Sequence, residues 1–338
     1  MTLDAEIAAA PMKPRATSSH PMLSLVGRRL ALGVVTLAAV SVVIFAATEV
    51  LPGNAAYAVL GQHATAARVK ALEVQMHLDR PVVVQYWDWI SGVFKGNLGT
   101  SFANGETVGH LVGPRITNSA VLVLLAGVIG TVVGVALGIL AAVRRDGWFD
   151  NAMSVAALAV TALPEFVVAI VLVMLFSALA FHILPGTSFI PPGTSPWSHP
   201  SLLVLPVATL VIVIVPYIFR MMRAAMIEAL ESDYVEMAKL KGVPRWRVVL
   251  SHALPNSIAP TIQVIGLNVL YLAGGIVVVE YVFAYPGMGA GLVDAVSARD
   301  IPTIQFITLV LAAFYVFMNI LTDVGALLAS PRRRLPRS

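Results

Sequence analysis

Six apolar runs, each about as long as a helix that crosses a bilayer, leave this chain few folds to choose from. They are Leu30–Val50, Ile116–Val143, Met153–Phe181, Leu202–Met222, Ile258–Val282 and Ile304–Leu328. Within lipid, every backbone N–H and C=O must find a partner inside the protein, which leaves helices or closed barrels. Barrel strands are about ten residues long and alternate in polarity, whereas these runs are longer and do not alternate. The chain is therefore predicted to be all-α, a polytopic membrane protein with six transmembrane helices. Composition agrees: 58% of its 338 residues are hydrophobic and 12% are charged. Soluble domains run at roughly 45–50% and 25%.

The cations set an orientation. If six helices alternate, Lys13, Arg15, Arg28, Arg29, Arg144, Arg145, Arg220, Arg223, Lys239, Lys241, Arg245, Arg247, Arg332, Arg333, Arg334 and Arg337 share one side. Only Arg68, Lys70, Arg80, Lys95, Arg115 and Arg299 fall on the other. Positive charge marks cytoplasmic loops, so both termini are expected in the cytoplasm. The pI near 9.5 follows from this bias and calls for no nucleic-acid partner; membrane lipid is the expected surround. Residues 1–22 read as a disordered cytoplasmic tail, 23–50 as the first transmembrane helix and 51–114 as an outer soluble insert. Residues 115–330 read as a five-helix core and 331–338 as a basic cytoplasmic tail. The apolar run after Arg28-Arg29 exceeds the roughly 7–15 residues of a signal-peptide core and reads as an uncleaved helix.

Several local features carry physical meaning. Gly130, Gly134 and Gly138 recur on one helical face and predict close approach of a neighbouring helix. Pro164 predicts a kink in the third run. In the insert, Ala64–Leu78 reads as a helix with Val69, Leu72 and Met76 on one face. Pro81 opens a second, in which Val83, Trp87, Ile90 and Phe94 form an apolar stripe that packs the insert onto the bilayer or the helices, or offers a docking surface to a substrate-delivering partner. Prolines rule out regular structure over most of His182–Pro200. Polar groups within membrane helices are functional candidates by default, which singles out Glu165, Gln263 and Asn268 as possible conduit residues. Asp323 is placed to pair with a basic residue. No catalytic or metal-binding residue is assigned. Cysteine is absent, and no G-x-x-x-x-G-K-[ST] phosphate loop, G-x-S-x-G run or metal-spaced cluster is found.

The polar segment 228–257 is the least membrane-like part of the core. Glu228 to Lys241 has helix-forming composition, Gly242 suits the left-handed position that ends a helix, and Pro244 suits the first turn of another. Two short helices joined at Gly242 are expected outside the bilayer, the second running from Arg245 to Leu254 and stopped by Pro255 or Pro260.

The order Glu236, Ala238, Gly242, Leu254, Pro255 resembles the cytoplasmic coupling motif, the EAA loop, of ABC importer permeases. From about Gly27 to Arg333 the chain resembles the dipeptide/oligopeptide-type branch. Leu78-Asp79-Arg80-Pro81, Gln85-Tyr86 and Gly96 to Ser101 resemble its outer insert, and Arg115 to Ala120 its second helix. Phe283, Pro286, Gly287 and Gly289, followed by Arg299, Asp300 and Pro302, resemble its outer loop between the last two helices. Met237 and His252 depart from the coupling consensus. Glu236 stands where many relatives carry Arg, and Ser330-Pro331-Arg332 replaces a final Asp-Pro-Arg.

The resemblance implies a permease subunit of a bacterial cytoplasmic (inner) membrane, forming half of a conduit for peptides or a similar small ligand. The implied partners are a second homologous permease, two ATPase subunits coupled through the 228–257 loop and an extracytoplasmic substrate-binding protein. ATP and Mg would be bound by those partner subunits and no cofactor by this chain, which is not itself an enzyme. Two other readings stay open: a secondary transporter acting alone, and a non-conducting membrane scaffold or receptor subunit.

Overall fold

A computed structural model describes residues 21–50, 60, 64–75 and 79–329. Expectations about the two tails, and about Met76, lie outside the described residues. The elements are α1 (Pro21–Val50), α2 (Ala66–Gln75), α3 (Val82–Phe94), α4 (Val108–Val143), α5 (Trp148–Thr161) and α6 (Glu165–Val173). Then come α7 (Pro200–Leu230), α8 (Asp233–Leu240), α9 (Arg245–Arg247), α10 (Leu254–Val282), α11 (Met288–Ala298) and α12 (Ile301–Ala329). Among the described residues there is one isolated backbone bridge, Thr100 with Thr107, and the all-α reading holds.

Among the described residues five helical stretches are long and apolar enough to cross a membrane, and the bent pair α5–α6, counted as one broken span, brings the number to six. The bend is 104° and falls at the predicted place. Pro164 has no N–H to continue the ladder and pushes Leu163 out of the helical region. The chain resumes as α6 at Glu165.

Helix α4 packs along α7 through the glycine face. A Cβ at Gly130 would lie 2.5 Å from Ile214, at Gly134 2.8 Å from Ile218 and at Gly138 2.7 Å from Met222. The core formed there joins Leu122, Leu210, Ile214 and Ile218 to Leu272, Ile276 and Phe283 of the α10 region. Helix α1 lies on α12, where Arg29 pairs with Asp323 at 2.9 Å.

Three expected boundaries move. The insert ends earlier than expected, because α4 begins at Val108 and not at Arg115, and Pro114 lies inside it. An interior proline costs about 3 kcal/mol. Complete burial of Val108 and Val112 against Met288 and Ile307 supplies about 1.5–3 kcal/mol for each side chain. At the other end, α7 runs through to Leu230 and α8 starts only at Asp233. The second short helix does not stop at Pro255 or Pro260. It passes through a π turn, Val248–Ala253, straight into α10. The widened turn absorbs the interruption, while Asn256 and Ser257 donate back to the carbonyls of His252 and Ala253 at 3.0 Å each.

In the insert, α3 turns Tyr86 and Trp89 onto Phe45 of α1. The stripe Val83, Trp87, Phe94 points away from the helices and is exposed. The expected packing of this stripe onto the helices of this chain is not seen for those three residues.

Candidate functional site

Residues singled out from the sequence gather at three places: the two ends of the bundle and a groove between them.

At the first end, α8 breaks away from α7 and turns back at Gly242. Gly242 has φ +76°. Its N–H donates to Lys239 O at 2.9 Å, and the Val243 N–H donates to Ala238 O at 3.1 Å, the bond pair of a Schellman ending. Val235 and Ala238 are buried against Met222, Met226, Val248 and Val249. Glu236, by contrast, is exposed in the first turn of α8, where its charge complements the helix N-terminus. Leu254 packs at the edge of the buried cluster and Pro255 is exposed.

The base of this element is clamped to neighbouring helix ends. Arg245 donates to Val143 O, at the end of α4, at 2.9 Å. Lys239 donates to Leu230 O, at the end of α7, at 3.3 Å. Arg145 pairs with Glu231. Beneath them Asp150 is completely buried. It accepts from Nε and Nη2 of Arg223, the latter at 2.6 Å, and from the Asp146 N–H at 3.0 Å. The outward face carries Tyr234, Met237, Leu240, Trp246 and Leu250, all exposed.

At the opposite end, the Phe283…Pro302 residues fold into one cap. Phe283 and Tyr285 are fully buried. Glu280 is also fully buried. Its carboxylate accepts from Ser119 Oγ at 2.5 Å and from the N–H groups of Gly289 and Ala290 at 2.7 and 3.1 Å. It therefore lies against the first turn of α11, where negative charge is favoured. A Cβ on Gly287 would come within 2.0 Å of this carboxylate, and one on Gly289 within 2.5 Å of Val277 Cα. Both positions need glycine for close approach. Asn118 donates to Pro286 O at 2.8 Å, and Tyr285 OH donates to Asn118 O at 2.9 Å. Asp300 accepts from Ser101 Oγ at 2.5 Å, the Phe102 N–H at 2.9 Å and Thr303 Oγ1 at 2.7 Å. That set joins the insert to the start of α12. Pro302 lies against Gly99, and Arg299 is an exposed left-handed residue with φ 55°.

Between the ends, α5, α7 and α10 enclose an open groove of roughly 910 Å³. Tyr217, Arg220 and Arg223 line it from α7, and Val264, Leu267, Asn268 and Tyr271 from α10. The α10 residues follow the three-and-four spacing of one helical face. Gln263, exposed one turn before Leu267, is not among the residues that line the groove. Asn268 is buried at its wall and donates to Val264 O at 2.8 Å. Glu165 stands just beyond, accepting from Tyr271 OH at 3.3 Å, its carboxylate resting in the space that Gly275 leaves open.

Sequence reasoning missed Arg220 and Arg223 as groove residues, having counted them only as topological cations. Asp150, Asn118 and Ser119 were not singled out either.

Residues 134–335 match the family described as binding-protein-dependent transport system inner membrane component, and residues 22–123 match its N-terminal companion. A putative peptide transport system permease protein of Brucella abortus is 34% identical over 313 residues, covering 93% of this chain and 99% of its own length. A putative peptide permease protein of Brucella suis is 37% identical over 317 residues, covering 92% and 99%. The probable D,D-dipeptide transport system permease protein DdpB of Escherichia coli is 34% identical over 322 residues, covering 88% and 94%. Among solved structures, a chain of the inward-facing MetNI methionine ABC transporter superposes with a TM-score of 0.53 at 16% identity. It covers 65% of this chain and 96% of that one, a likeness of fold.

Proposed function

This chain belongs to the family of binding-protein-dependent transport system inner membrane components and is an importer permease subunit, and from that premise we propose how its three regions divide the work. The Gly242 end faces the cytoplasm and docks an ATPase subunit, which binds ATP and Mg. The Phe283 end faces outward and receives a substrate-binding protein. The groove lined by α7 and α10 is half of a conduit completed by a second permease, with Asn268 on its wall and Glu165 just beyond it. The cargo is a peptide, in keeping with the relatives' names. Alternating access would follow from rigid movement of the docked element relative to the bundle.

The observation that carries this reading is the α8–α9 element. Its base is buried and clamped to two other helix ends, while Tyr234, Met237, Leu240, Trp246 and Leu250 stay uncovered among exposed charges such as Glu236 and Lys241. A loop that only meets solvent has no use for so many large apolar side chains on its surface.

Gly242→Val tests it. No atom lies within 4 Å of a Cβ at this position, so the cost is backbone strain alone, roughly 1–2 kcal/mol and more for a β-branched residue. The variant is expected to insert normally but to recover ATPase subunits weakly, or to lose ligand-stimulated hydrolysis. Wild-type recovery, hydrolysis and uptake would remove α8–α9 as the docking element. Orientation is tested separately in this cysteine-free chain. Ser195→Cys should react with an impermeant thiol reagent in intact cells, and Ser232→Cys only after lysis. The reverse pattern refutes the orientation.

A further inference from the structure

The groove carries the cation Arg220 at one end and has the carboxylate Glu165 just beyond its other end, against Tyr271, and we propose that a peptide passes through it with its carboxylate leading, read by Arg220, and its ammonium trailing, read by Glu165. This inference rests on the peptide-importer reading above.

The register of the two walls places the charges. Ser257 donates to Ala225 O at 3.1 Å, and Thr261 donates to Met222 Sδ at 3.4 Å. Helices α7 and α10 thus run antiparallel, with Arg220 level with about Val264. Glu165 lies level with Tyr271 and Gly275. At about 1.5 Å rise per residue, those seven to eleven residues separate the two charges by roughly 10–16 Å. An extended peptide advances about 3.3–3.6 Å per residue, so the gap suits about three to five residues.

The two guanidinium groups in the groove differ. Arg223 is occupied by the buried Asp150. Arg220 is exposed in the groove and has no hydrogen-bond or ion-pair partner among the described residues. A free guanidinium matches a carboxylate with two parallel donors. At the other extreme Glu165 keeps one hydrogen bond, from Tyr271, and retains acceptor capacity for an ammonium. Tyr217, Tyr271 and Leu267 between them offer apolar and aromatic surface without fixed charge, which suits side chains of varied kind. With the Gly242 end inward, Arg220 is the inner charge.

The test uses the complete complex, this chain with its partner permease, ATPase subunits and binding protein in vesicles. The probes are a tetrapeptide, its C-terminal amide and its N-acetyl form. Arg220→Gln should lower uptake of the free acid roughly tenfold relative to the amide, the scale of one lost charge-assisted bond. Arg220→Lys should recover part of that ratio. Glu165→Gln should lower uptake of the free amine relative to the N-acetyl form. Equal losses on acid and amide overturn the assignment. A second measurement does not depend on delivery of modified termini. Cysteines are introduced at Met221 and at Phe166. A peptide bearing a haloacetyl group near its carboxylate should label Met221→Cys, and one bearing it near its amine should label Phe166→Cys. Reversed or indifferent labelling overturns the proposed direction. If the wild-type complex carries no peptide at all, the cargo reading itself falls and this inference with it. If it carries peptides while the ratios stay flat, only this inference falls.

Discussion

The Phe283 end and the Gly242 end close the same helices with opposite materials. The Phe283 cap places its polar groups inside: Glu280, Ser119 and Asp300 are buried, and every contact named for them lies within this chain. The Gly242 element buries the Asp150 carboxylate at its base and turns Leu240 and Trp246 outward, at 77% and 61% exposure, beside exposed charges such as Glu236. Within one chain, a satisfied polar interior makes a cap that holds one shape. An uncovered apolar face on a clamped base makes a surface whose free energy awaits a partner. The first kind of end should respond to mutation through stability, the second through coupling.

The largest effect tests whether the Gly242 base is clamped as described. Asp150→Ala leaves Arg223 without its carboxylate. Breaking a dry pair costs about 3–5 kcal/mol. Arg223 keeps 28% exposure, so about 2–3 kcal/mol is expected in this site. Thermal unfolding in detergent should shift strongly downward, and ATPase recovery should fall with it. If recovery falls while unfolding is unmoved, the pair belongs to coupling and the contrast between the ends blurs.

A smaller effect tests the cap. Gly287→Ala drives a methyl into the Glu280 carboxylate, for which overpacking costs of about 1–3 kcal/mol are typical. Glu280→Gln should cost less, because one amide oxygen can still accept from Gly289 and Ala290. Both should lower the unfolding midpoint and leave ATPase recovery by the folded fraction unchanged. Selective loss of recovery, with the midpoint intact, would show that the two ends do not divide the work in this way.

These predictions rest on features of unequal legibility. Local chemistry was readable: the Gly242 ending needs a few residues and one backbone angle, and the Pro164 break needs one missing N–H. Spacing was readable too, since Gly130, Gly134 and Gly138 share a face at any helix length. Long-range pairs were not. Arg223 meets Asp150 across 73 residues and Ser119 meets Glu280 across 161, and nothing local distinguishes them from other polar residues in apolar runs. Sums of small terms also escaped. The start of α4 depends on burial of Val108 and Val112 outweighing Pro114. The continuity of α9 with α10 depends on a π turn sparing the ladder near Pro255. Gln263 was chosen for polarity alone, and polarity does not say which side chains of α10 line the groove. Arg220 was hidden for the converse reason: its charge already had an explanation in topology.

The smallest expected stability effect sharpens the comparison most. Leu240→Ser and Trp246→Ala alter side chains that are already exposed, and surface substitutions of this kind usually change stability by no more than about 0.5 kcal/mol. The unfolding midpoint should therefore hold. Apolar anchors near the centre of a buried contact can nonetheless carry about 2 kcal/mol or more of binding when truncated. Recovery of ATPase subunits, or ligand-stimulated hydrolysis, should thus drop by tenfold or more, about 1.4 kcal/mol in an equilibrium. Phe94→Ser serves as the control. It removes an apolar side chain even more exposed, at 86%, but from α3 in the insert, so recovery and hydrolysis should be untouched. Co-purification and ligand-stimulated hydrolysis in vesicles measure all three variants. Equal loss from Phe94→Ser would mean that exposed apolar groups act through the bilayer or through assembly in general. No loss from Leu240→Ser and Trp246→Ala together would mean that the face binds nothing. In either case the Gly242 end would stop being the working end of the molecule.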